Sequence, residues 1–160
     1  MALSNYYAPT EQELSGAPPK VLYELQMFRA SVARCVNGDG NADPVLHNIS
    51  LEATLLHARN LLDFFCGKKT KDDDIRAAHF LQESETKWWK SSQLEYLAAL
   101  KKDLNYSINH LTYRRVQGKP RWDLVRISRG IEAAFKEFIA RLPDNEQMAW
   151  ILEDGGRTTA

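Results

Sequence analysis

Between Pro44 and Cys66 the chain places apolar residues around most of the circumference of a helix, and no other stretch limits the fold as strongly. At about 100° per residue, Leu46, Ile49, Leu51, Leu55, Leu56, Leu61, Leu62, Phe64 and Phe65 leave a single polar stripe. That stripe is Asn48, Glu52, Arg59 and Asp63, within an arc of about 60°. A helix wrapped in this way is expected to have neighbours on several sides, which makes it the central helix of its domain. Its limits are legible as well. Asp43 and Pro44 suit an N-cap and a first helical position, and Gly67 suits the stop.

The remaining helices follow from period and punctuation. Leu22, Leu25, Phe28, Val32 and Val36 recur at three- and four-residue intervals, predicting a helix from Pro19 to Val36. Ser92 to Glu95 reads as a capping box opening a helix whose apolar face (Leu94, Leu97, Leu100, Leu104, Ile108, Leu111) runs to about Arg115. Asp123 caps a fourth helix, which Pro143 ends. Short helices are expected within IRAAHFLQE, from Ile75, and around Asn145 to Glu153. No stretch alternates with period two for long enough to form a sheet. The expected fold is all-α, an antiparallel bundle of four main helices with a short extra helix. Residues 1–18 are expected to form an irregular N-terminal arm, 19–153 the single bundle domain and 154–160 a flexible tail.

Charge and motif exclusions narrow the function. The 160 residues balance 21 Lys+Arg with 21 Asp+Glu, which excludes a uniformly basic polyanion binder. Every apolar run is interrupted within a few residues, so no membrane partner is expected, and the first residues show no secretion signal, so the expected location is cytoplasmic. Cys35 and Cys66 are too few for a disulfide scaffold and are expected as free thiols. There is no phosphate-binding loop and no nucleophile elbow. The segment Asp39 to Asp43 imitates half of a calcium loop, but Pro44 and Ser50 stand where glycine and glutamate are required. None of His47, His57, His79 and His110 has a ligand partner at helical spacing, so neither metal nor cofactor is expected.

One polar constellation remains. Asp103, Ser107, His110 and Arg114 fall on one flank of the third long helix, with Asn105 and Asn109 on the other. This flank is either a solvated face carrying an Asp-to-His pair or one side of a polar network completed by Glu52, Arg59 and Asp63. A charged group in a densely apolar helix must find a partner, and Arg59 can reach Asp63 or a group on the third long helix. The balanced total charge also conceals a basic end. Lys101, Lys102, Arg114, Arg115, Lys119, Arg121, Arg126 and Arg129 face only Asp103 and Asp123, a local +6 that would suit RNA or an acidic partner.

The strings LLHARNLLDFF (Leu55 to Phe65), LNYSINHLTYRR (Leu104 to Arg115) and WDLVRI resemble a widespread group of small bacterial proteins, itself similar to the HEPN superfamily of helical bundles. The resemblance covers residues 44–142. It implies a dimeric bundle, and two functions. One is a non-catalytic interaction or dimerisation protein in a bacterial stress or defence setting, pairing as a homodimer or with another protein. The alternative is a metal-independent ribonuclease. Active members of the superfamily use Arg-x(4 to 6)-His, the histidine as acid/base and the arginine holding the phosphate. His110 matches the histidine. The arginine is missing: Asp103 stands seven residues before His110, and Lys101 and Lys102 lie outside the window. On the ribonuclease reading Arg59 or Arg114 would have to replace it in space. Trp88, Trp89, Trp122 and Trp150 supply either interface or core, with core expected for Trp88 and Trp89.

Overall fold

A computed structural model describes residues 9–37, 43–66, 74–81, 92–108 and 122–152. Six α-helices and one 3-10 turn occur among the described residues, and no strand. In chain order they are α1 (Glu11–Ser15), α2 (Pro18–Asn37), α3 (Pro44–Cys66), the 3-10 turn Ala77–His79, α4 (Ser92–Ile108), α5 (Leu124–Arg141) and α6 (Asp144–Leu152). The all-α bundle expected from the sequence is the fold. The central helix is α3, which packs against α2, α4 and α5.

Local chemistry explains the boundaries. The Val45 and Leu46 amides donate to Asp43 Oδ1 at 2.8 and 3.3 Å, and Pro44, which has no amide hydrogen to satisfy, takes the first position of α3. Asp123 does the same for α5, accepting from the Arg126 amide at 2.9 Å. The N-terminal arm departs from expectation, because residues 11–15 are helical. Thr10 and Glu13 form a reciprocal capping box that holds this one turn, too short to show a periodicity. Behind it Ala17 and Pro18 are buried, so the bundle begins before residue 19. Of the short helix expected from Ile75 onward, the described part is the 3-10 turn alone. Trp88 and Trp89, and the third long helix beyond Ile108, lie outside the described residues.

The core has an aliphatic part and an aromatic part. Leu22, Leu25 and Phe28 of α2 meet Leu61 and Leu62 of α3, Leu97 and Leu104 of α4, and Ile127 and Ile131 of α5. At one end, Phe64, Phe65, Phe80, Phe138 and Trp150 stack mostly edge to face, with Phe138 and Trp150 at 4.9 Å between ring centroids. Trp150 thereby seats α6 on the bundle. The helices α4 and α5 pack closely at Gly130, where a β-carbon would lie 3.0 Å from Leu97 Cδ2.

In one respect α3 differs from its expected burial. Its C-terminal half is enclosed, but Val45, Leu46, Ile49 and Leu56 point to solvent. Apolar residues around the whole helix therefore combine two features: a core-facing side and an outward apolar face.

Candidate functional site

The polar stripe of α3 meets α4 at Asp63. Asp63 Oδ1 lies 2.5 Å from Lys101 Nζ, and Asp63 Oδ2 lies 3.9 Å from Arg59 Nε, the i,i+4 partner on its own helix. Lys101 is 16% exposed at its side chain, so its ammonium is largely withdrawn from water and neutralised by Asp63. It does not add to an open basic surface, unlike Arg126 and Arg129, which are exposed on α5. Arg126 lies over the Tyr96 ring at 4.2 Å. Glu52 and Asp103 are exposed and take no part in the Asp63 contact. His110, Arg114, Asn109, Arg115, Lys119 and Arg121, and the side chains of Lys102, Asn105 and Ser107, lie outside the described residues.

A second cluster had no counterpart in the sequence reading. His57 Nδ1 donates to Glu24 Oε2 at 2.7 Å, and Asn60 Nδ2 donates to the same oxygen at 3.0 Å. The carboxylate is an acceptor only, so this contact places the imidazole proton on Nδ1. Tyr23 sets its ring edge-on to His57, with centroids 6.1 Å apart. Helical spacing separates His57 from every acidic residue of its own helix, and its partner is 33 residues away on α2. The available signal was composition: Glu24 is the one acidic residue of α2, while His57 and Asn60 share a flank of α3. The cluster ties α2 to α3, as the two-pronged Arg29 to Glu132 pair (2.7 and 2.9 Å) ties α2 to α5. Among the described residues no three His, Cys, Asp or Glu side chains converge as metal ligands.

The third feature is a surface. Of the ten exposed large hydrophobic residues among the described ones, seven belong to α2 and α3, which places the unusual exposure on one hairpin. Five of these seven share its outer side by helical position: Tyr23 and Met27 on α2, and Val45, Ile49 and Leu56 on α3, at 38–64% exposure. Together they present on the order of 500 Å² of apolar surface, at the upper end of what a monomer ordinarily shows and a usual mark of a contact site. No family model matches the chain, and no curated protein or solved structure is significantly similar to it. No helix among the described residues is long and apolar enough to cross a membrane.

The two thiols sit in contrasting settings. Cys66 is buried, which pushes its pKa from 9.0 up to about 12; Lys101 pulls it down and Asp63 up, both more weakly. Cys35 is half-buried with its Sγ 3.8 Å from Thr54 Oγ1. At pH 8 a thiol reagent should therefore titrate Cys35 in the native protein and Cys66 only after denaturation. The raised folded value also means that stability is intact below pH 9 and falls as pH rises toward 12, by up to ~1.4 kcal/mol per unit from this group. Rapid labelling of both native thiols would contradict this placement.

Proposed function

We propose that this protein is a helical interaction module that works by pairing, without chemistry of its own, and that it pairs with a second copy of itself through the outer face of the α2 and α3 hairpin. The observation that carries the reading is the concentration of exposed apolar side chains on that face. An apolar centre of on the order of 500 Å² fits within the roughly 800 Å² a side that a standard interface buries. Its rim carries both signs of charge, Lys20 and Arg34 on α2 and Glu52 on α3, so two copies of the same face can satisfy one another. A ribonuclease reading has less to stand on. Arg59, one of its two candidate cations, is already beside Asp63.

The test is oligomeric state. Sedimentation of the wild-type protein at micromolar concentration should give a dimer. Ile49→Glu, which puts a charge at the centre of the face, should weaken association at least about a hundredfold with unchanged helix content, since central apolar anchors dominate such interfaces. A wild-type protein that stays monomeric, or a variant that dimerises normally, would remove the reading.

A further inference from the structure

The same surface contains enough register information to specify how two copies meet. Because Glu24 touches both His57 and Asn60, and Cys35 touches Thr54, the levels of the two antiparallel helices are known. Taken together these contacts set Arg34 of α2 level with about residues 47 to 55 of α3, a span that includes Glu52, and Met27 level with about residues 54 to 62, a span that includes Leu56. On α2, Tyr23, Met27 and Arg34 lie within an arc of about 40°; on α3, Val45, Ile49, Glu52 and Leu56 lie within about 60°. Arg34 and Glu52 are both exposed, and among the described residues neither side chain has a hydrogen bond or ion pair.

Charge then selects which helix faces which. The outer face of α2 is basic: its one acidic residue, Glu24, is bound to His57 and Asn60, leaving Lys20 and Arg34 at the rim. Packing α2 on α2 would oppose cation to cation. Packing α2 on α3 brings Arg34 to Glu52 and leaves the apolar residues of both helices in the centre. A two-fold axis parallel to the helices does this without changing any level, because it carries α2 of one copy beneath α3 of the other.

We infer that two copies associate about such an axis, with α2 of each lying on α3 of the other, Met27 against Leu56 and Arg34 paired with Glu52 of the second copy. The inference rests on the self-pairing reading above and adds a four-helix seam with two symmetric ion pairs. Each pair is at the rim, so it sets register and partner choice more than affinity.

Charge reversal across separate chains tests the arrangement. Arg34→Glu alone and Glu52→Lys alone each create two like-charge contacts per dimer and should weaken self-association on the order of tenfold. An equimolar mixture of the two variants restores both pairs, and the mixed dimer should regain wild-type affinity. The double variant in one chain should recover as well. Both positions are exposed, so circular dichroism should show unchanged folding in every variant. If the wild type is a dimer but the mixture associates no better than its components, residues 34 and 52 of different copies are apart; the arrangement then falls while the pairing function stands. If the wild type is a monomer that Ile49→Glu leaves unaltered, both fall.

Discussion

Replacing Phe138 with alanine is expected to cost about 3–5 kcal/mol, which for a domain of ordinary stability, about 5–15 kcal/mol, is a fifth or more of the total. Phe138 is fully buried and, among the described residues, lies against Phe64 and Phe65 of α3, Phe80 after the 3-10 turn, Phe135 on its own helix and Trp150 of α6. Truncation removes the transfer energy of the ring and leaves a cavity that its neighbours cannot fill together, because they come from different elements. Phe138→Leu keeps most of the volume and should cost under about 2 kcal/mol. Urea unfolding followed by circular dichroism measures both, and the midpoint should shift with little change in slope. An alanine variant losing less than the leucine variant would mean that this cluster can collapse around the gap.

Phe138 also shows what the sequence could give. Its inward position follows from period alone, since Ile127, Ile131, Phe135 and Phe138 recur along one face of α5 and all are buried. The central role of α3 and its first and last residues were legible for a similar reason, because capping and stopping are local chemistry. Contacts between helices were not legible. Periodicity says which side of a helix is apolar, but it does not say which neighbour a flank meets, so Glu24 and His57 could not be joined. Periodicity also cannot separate a buried apolar face from one that awaits a partner. By period alone Leu46, Ile49 and Leu56 therefore count among the enclosed residues of α3, yet all three are exposed. The five residues of α1 have no period to detect, although Thr10 and Glu13 at capping-box spacing announce them. His110 and Arg114, on which the ribonuclease alternative depends, lie outside the described residues.

Removing Asp63 should cost more than removing Lys101, although the two share one contact. Lys101 is the more buried partner, so Asp63→Ala strands an ammonium that has little access to water. The expected loss is about 2 kcal/mol, below that of a fully buried pair because the Asp63 side is half open to solvent. Lys101→Met keeps the aliphatic packing and leaves a carboxylate that still has water and Arg59 nearby, at an expected cost under about 1 kcal/mol. Combining the two should recover much of what Asp63→Ala loses, since no stranded charge remains. The double-mutant cycle from urea unfolding measures this coupling. Equal single losses would mean that Lys101 reaches water when its partner is gone. The asymmetry also bears on the basic end of the chain. While Asp63 holds it, Lys101 is a fastening of α4 to α3 rather than a cation for a phosphate, and the local +6 counted along the sequence overstates the charge that this region presents to a partner.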